Sequence, residues 1–167
     1  MTLRTICPYT EVVLREKAQP VETFDDDLQI LIDDMIETMR AAPGVGLAAP
    51  QIGVPKRVIV VEFGHEDDES IPEQLYVVVN PEIVKQSEKA VMGIEGCLSV
   101  PGFTGEVARA EVVTVRGQDP TGKKVKIRAQ GWLARIFQHE IDHINGILYT
   151  DRAGPIWQSD QDEMDTI

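Results

Sequence analysis

The sequence predicts one α+β domain with antiparallel sheet, and three observations carry that expectation. An amphipathic helix comes first, β-branched and alternating runs fill the middle, and a second helix with apolar faces follows them. A turn sequence between two alternating runs points to a hairpin, hence to antiparallel pairing. The 167 residues match one ordinary domain, and 43% hydrophobic with 26% charged residues is a globular balance.

The first helix is expected over Asp25–Arg40, where Leu28, Leu31, Ile32, Met35, Ile36 and Met39 form one apolar stripe. Asp25–Asp27 stand at its positive end, and Pro43-Gly44 stops it. Arg57–Phe63 and Leu75–Val79 read as strands around the acidic loop Gly64–Ser70, which holds a solvated His65. Val107–Arg116 and Lys123–Arg128 alternate apolar with polar, and Asp119-Pro120-Thr121-Gly122 joins them. The second helix is expected over Trp132–Gly146. Residues 1–157 read as the domain and 158–167 as an acidic, flexible tail.

Charge and composition exclude several functions. The formal charge is −12, and no Lys/Arg cluster interleaves with aromatics, which argues against direct nucleic-acid binding. The longest uncharged stretch, Ala41–Pro55, is shorter than a bilayer span and carries three Pro and three Gly. Met1–Lys17 lacks the apolar run of a secretory signal, so a cytoplasmic protein without membrane association is expected. Cys7 and Cys97 then read as free thiols, Cys7 with a structural part only.

The chemistry concentrates in His139-Glu140-Ile141-Asp142-His143, an H-E-x-x-H pattern. Histidines at i and i+4 share a helix face and can reach one metal ion, with the intervening glutamate as general base. A catalytic site of this kind usually has a third protein ligand. The longer pattern with a third histidine fails, because Tyr149 stands there. Glu163 lies in the polar tail, and Cys97, in Glu95-Gly96-Cys97-Leu98-Ser99, is the soft alternative. Cys97 also suits a plain reading as a small buried hydrophobe. Gly44-Val45-Gly46-Leu47-Ala48-Ala49-Pro50-Gln51 lacks the Gly-Lys-Ser/Thr of a phosphate loop. It reads as backbone brought close to a ligand, with Gln51 as an oriented donor.

These three segments, in this order, resemble the peptide deformylases, whose motifs run G-Φ-G-Φ-A-A-x-Q (Φ apolar), E-G-C-L-S and Q-H-E-x-D-H-Φ-x-G. Here they stand as Gly44–Gln51, Glu95–Ser99 and Gln138–Gly146. The resemblance runs from the first helix to about Arg152 and implies antiparallel sheets packed around a central helix carrying H-E-x-x-H. It implies one divalent metal on Cys97, His139 and His143: Fe(II) by family, with Zn, Ni or Co able to replace it. The implied reaction is hydrolysis of the N-formyl group from the formyl-methionine of nascent polypeptides, releasing formate. Glu140 is the implied general base and acid, and the Gln51 amide and Leu98 N–H the implied oxyanion donors. The resemblance further implies that Gly44 and Gly46 leave room for the formyl head and that main-chain groups of Val45–Leu47 and Gly93–Gly96 pair with the peptide as an added strand. The resemblance places Val45, Glu95, Trp132, Ile136 and His139 around the methionine side chain. Trp132 and Arg135 replace the aliphatic residues of other members. Arg109 reads either as the partner of Glu95 or as a solvated strand arginine, and Asp142 as an acid that is not a ligand. The resemblance leaves transient ribosome association open, while the acidic tail, with Asp160, Asp162, Glu163 and Asp165, should be repelled by RNA.

Three other readings compete. A gluzincin-like metallopeptidase would use Glu163 as third ligand. A Cys–His hydrolase would use Cys97 as nucleophile. A ribosome-associated, non-catalytic module would need a fourth protein ligand to close its metal site.

Overall fold

The computed structural model describes residues 2–64, 70, 72–159 and 167. His65 and Glu163 lie outside them.

The chain runs through α1 (Asp26–Ala41), β1 (Gly46–Ala48), β2 (Val58–Phe63), β3 (Gln74–Gln86), β4 (Ala90–Cys97) and β5 (Val100–Ala110). It continues through β6 (Val112–Gln118), β7 (Lys124–Gln130), α2 (Gly131–Ile144), α3 (Tyr149–Arg152) and β8 (Ile156–Gln158). Two antiparallel sheets form, in the orders β1-β2-β3-β6-β7 and β4-β5-β8. The α+β class expected from the sequence is what the chain adopts.

The Asp25 carboxylate accepts the Leu28 N–H and so caps α1, as its place before the apolar stripe requires. The stripe packs on β1 and β2. β2 is apolar on both faces because each face has a helix: Val58 and Val60 join the cluster around α1, while Ile59 and Val61 join the one around α2. The helix α2 is central, touching β1, β2, β3, β5, β6 and β7, and every residue from Ala134 to Ile144 is buried.

Two strand boundaries differ from expectation. Val107–Arg116 is not one strand: the bend at Glu111 separates β5 from β6 and sends them into different sheets. Alternation persists across the bend, so period alone does not reveal the change of partner. β3 runs past the Asn80-Pro81 pair to Gln86, because a register shift there absorbs the break. Asn80 holds the irregular backbone at φ 53°. Its side chain accepts the Val21 N–H and donates to the Val21 carbonyl and Gln118. The expected hairpin stands, with Asp119 accepting the N–H groups of Thr121 and Lys123. In the segment read as a tail, Gln158 belongs to β8 and Ile167 is fully buried.

Candidate metal centre

The helix α2 carries His139 and His143 one turn apart, their ring centroids 5.0 Å from each other. Cys97 closes β4 and brings its Sγ within 3.3 Å of His143 Nε2. One ligand atom from each of Cys97, His139 and His143 lies within 4.8 Å of the others, and all three side chains are buried. Ligand bonds of ~2.3 Å to sulfur and ~2.0 Å to nitrogen at a tetrahedral angle put S and N about 3.5 Å apart. The observed 3.3 Å spacing fits that geometry.

Glu95 explains the orientation of His139. Its buried carboxylate accepts from both sides of the Arg109 fork at 2.9 Å, from Arg135 at 2.7 Å, and lies 2.9 Å from His139 Nδ1. Burial alone would raise the Glu95 pKa, but Arg109 and His139 overcome it and hold the carboxyl well below the usual range. An ionised carboxylate only accepts, so the His139 proton sits on Nδ1 and leaves the Nε2 lone pair free for a metal. His139 Nε2, His143 Nδ1 and both Glu140 oxygens are buried with no hydrogen-bond partner among the described residues. Burying unpaired polar groups is costly, and a ligand at the Cys97/His139/His143 cluster would complete His139 Nε2, whereas His143 Nδ1 lies on another edge of a ring whose Nε2 faces Cys97.

The electrostatic surroundings agree. Burial opposes a charged His139, yet Cys97 and Glu95 push its pKa up to about 10. The negative surroundings that favour a proton there also favour a cation. Burial, with His139 and Arg109, holds His143 well below its ordinary value and therefore neutral, the form that ligates. Burial pushes Glu140 up to about 7, against the opposing effect of His139 and with Glu95 adding to it. That places Glu140 near the value useful to a general base.

The first glycine-rich segment is not a loop throughout: Gly46–Ala48 pairs with β2, and Ala49–Ile52 makes a 3-10 turn. Gln51 is fixed within it. The Gln51 backbone carbonyl accepts the Cys7 N–H at 2.7 Å, and Gln51 Oε1 accepts the Ala48 N–H at 3.0 Å. Its amide nitrogen is thereby turned towards Cys97 Sγ, at 3.7 Å, and Ser99 Oγ, at 3.2 Å. Leu98 begins the two-residue turn after Cys97, half-buried against the α1 cluster.

Gly46 lies directly against Glu140. A Cβ there would come within 2.9 Å of Glu140 Cδ, so its hydrogen makes room for the base itself. A Cβ on Gly44 would meet the Leu98 side chain at 2.8 Å. Gly46→Ala should displace the Glu140 carboxylate and lower kcat by ~10–100-fold, since displacements of ~1 Å can cost that much. Metal content should not change; metal analysis beside kcat checks this.

Arg109 is the buried partner of Glu95, not a solvated arginine, and also donates to Asp142 at 2.6 Å. Asp142 accepts from Arg152 and stands outside the Cys97/His139/His143 group. Arg135 is tied to Glu95, to the Val107 and Val91 carbonyls, and to the Trp132 ring at 5.6 Å. It packs where a side chain on Gly93 would collide with it, 2.6 Å from its Cζ, and with Trp132 it borders a cavity of about 220 Å³. Ile136 is fully buried in the α2 cluster, against which Val45 and Trp132 pack. Tyr149, where the longer three-histidine pattern fails, instead stacks on His139 at 6.1 Å. That contact and the Ser99 partnership escaped the sequence reading, although the spacing had singled out Tyr149.

Similarity to known proteins points the same way. The pattern of the polypeptide deformylase family matches residues 3–158. A peptide deformylase of Symbiobacterium thermophilum is 60% identical over 141 residues, 84% of this chain and 62% of that protein. One of Halothermothrix orenii is 55% identical over 141 residues, 84% of this chain and 87% of that protein. The crystal structure of a class I type b peptide deformylase from Acinetobacter baumannii with Met-Ala-Ser bound superposes with a TM-score of 0.83 at 41% identity. It covers 90% of this chain and 98% of that one. With its motifs, fold and buried Cys/His/His cluster on one helix-and-strand frame, this chain belongs to the peptide deformylase family.

Proposed function

We propose that this protein removes the formyl group from the N-terminal formyl-methionine of nascent polypeptides, with Glu140, Gln51 and Leu98 as its catalytic groups. The observation that carries the reading is the convergence of unpaired Glu140 oxygens, an oriented Gln51 amide and three ligand atoms in one buried cluster. Cys97, His139 and His143 would hold a divalent ion, which when bound would supply Lewis-acid chemistry and lower the pKa of water towards ~7. Glu140 accepts the proton of the attacking water and delivers it to the departing amine nitrogen, a role worth ~10²–10⁴-fold. The Gln51 Nε2–H and Leu98 N–H donate to the oxygen that gains charge as the formyl carbon becomes tetrahedral. Glu95, anchored by Arg109 and Arg135, keeps His139 in the ligating tautomer.

Backbone groups of Val45–Leu47 and Gly93–Gly96 bind the peptide main chain, and Val45, Glu95, Trp132 and Ile136 face the methionine. The ion is Fe(II) by likeness to the family, although a Cys/His/His set suits zinc chemically. The site works in the cytoplasm on chains emerging from the ribosome, without direct nucleic-acid or membrane contact. No helix among the described residues is long and apolar enough to cross a membrane.

Gln51→Leu tests the reading against any other H-E-x-x-H hydrolase. Loss of such a donor costs about 2.7–4 kcal/mol, or ~10²–10³ in kcat, with KM nearly unchanged. Metal content and melting temperature should match the parent protein. Full activity in the folded variant would remove Gln51 from the site.

A further inference from the structure

Half of the larger sheet carries a charge opposite to that of the chain. On β7, Val125, Ile127 and Ala129 join the apolar cluster around α2, so Lys124, Lys126 and Arg128 face outward. The register sets Thr114 between Lys85 and Arg128, and Arg116 between Glu82 and Lys126. Together β3, β6 and β7 hold five basic side chains and one acid, in a chain with 16 basic and 28 acidic residues. A solvated face drawn from that composition would carry more acid than base. Glu82 pairs with Arg116 at 3.1 Å, whereas Lys85, Lys124, Lys126 and Arg128 enter no ion pair among the described residues. Arg116 stands directly opposite Lys126, a repulsion that a bound anion would relieve. Lysine on an edge strand deters stray pairing, but that accounts for β7 and not for Lys85 and Arg116 inside the sheet.

This face connects with the groove. A cavity of about 790 Å³ sets Val84 and Val112 beside Lys85, Lys126 and Arg128. It shares Val112 and Arg128 with a second cavity, of about 510 Å³, that reaches Phe63, Gly64 and Leu133. The Glu62 N–H donates to the Val45 carbonyl at 2.8 Å, so Phe63 adjoins the Val45 end of the groove assigned to the peptide main chain. The acids along this route are already paired: Glu62 with Arg40 at 2.6 Å, and Glu111 with Lys89 at 3.4 Å.

We infer that the cationic face of β3, β6 and β7 is an exosite for acidic side chains of the polypeptide substrate, several residues downstream of the formyl-methionine, an assignment that rests on the deformylase reading of the groove. Outward residues of one strand are ~7 Å apart, the spacing of acids at alternate positions of an extended peptide. Tyr76, the aromatic residue of these strands, packs inward on Phe137, so the face offers no ring for base stacking and suits a peptide better than RNA. From His139 back to Trp132 the helix spans ~10 Å, and Trp132 to Arg128 adds at most ~14 Å. An extended peptide covers that in roughly seven residues at ~3.4 Å each. Charge on this face acts far from the reacting atoms, so the effect falls on KM and leaves kcat alone.

The test compares the metal-loaded parent protein with a double variant, Lys126→Glu with Arg128→Glu, whose exposed positions spare the fold. The substrates are formyl-Met-Ala-Ser and the longer formyl-Met-Ala-Ser-Gly-Ala-Glu-Gly-Glu-Gly-Glu, with Gln and Lys counterparts of the latter. Exposed ion pairs are individually weak, so two or three together should lower the parent's KM for the Glu peptide ~3–10-fold below that for the Gln peptide. The difference should shrink in high salt, with kcat within twofold throughout. The double variant should prefer the Lys peptide, yet match the parent in melting temperature and on formyl-Met-Ala-Ser. Calorimetric binding of the deformylated Glu and Gln peptides gives Kd values that need no turnover and should differ in the same way. Equal KM and Kd for Glu and Gln peptides in the parent, or a Glu preference that survives in the variant, would overturn the inference. So would single-stranded RNA binding more tightly than the Glu peptide and being lost in the variant, which would assign the face to nucleic acid. Absence of formate release from every peptide would contradict the deformylase reading instead, and the calorimetric difference would still decide what the face binds.

Discussion

Cys97→Ala should lose bound metal and activity together. The substitution removes the one sulfur ligand of the buried cluster and leaves two imidazoles. Partners that merely orient a metal ligand are worth ~10–100-fold in affinity, so removal of a ligand should exceed that. Purified parent protein should carry about one divalent ion per chain and the variant far less. The small change in volume spares the fold: Cys97 sits in a minor apolar cluster with Val100, Val107 and Tyr149, and alanine remains compatible with it. Metal analysis with a thermal melt checks both parts. Full metal content in the variant would return Cys97 to the plain reading of a buried small residue. Retained activity without metal would favour a nucleophilic mechanism.

Glu140→Ala separates a base from a ligand. The two Glu140 oxygens have no partner among the described residues, so their loss breaks no hydrogen bond there. Removing a buried carboxylate whose ionisation burial disfavours should leave stability unchanged or raise it. Metal should stay bound while kcat falls at least ~10²-fold. Glu140→Gln, which keeps the shape, should fall as far. A variant with kcat within a few-fold of the parent would show that another group moves the proton.

Much of this site is visible in the sequence, for identifiable reasons. A helical period of 3.6 forces His139 and His143 onto one face, so H-E-x-x-H states a geometry by itself. Cys97 is different. Its approach to His143 depends on β4 and the α2 helix meeting across a core, and no local pattern encodes that long-range contact. The three motifs together supplied it by resemblance alone. Arg135 shows a reading that physical spacing could have reached. It lies four residues before His139, hence on the same face, and a charged residue facing the core needs a partner. Glu95 is that partner. Gly46 also carries a packing signal that the sequence does not show, since an added Cβ would meet Glu140, a neighbour from a distant helix. The helices emerged within a residue or two because their stripes are long. Strand boundaries failed where topology, not period, decides: at Glu111, where the chain changes sheets, and at Asn80-Pro81, where a bulge lets β3 continue.

Formate release from formyl-Met-Ala-Ser, measured in metal-loaded protein and again after chelation, tests the central claim most directly. The account predicts stoichiometric formate and free Met-Ala-Ser from the loaded protein. It predicts at least ~10²-fold loss on chelation and recovery when Fe(II) or a substitute divalent ion is returned. Undiminished release in chelator, or cleavage at the Met–Ala bond with the formyl group left in place, would contradict it.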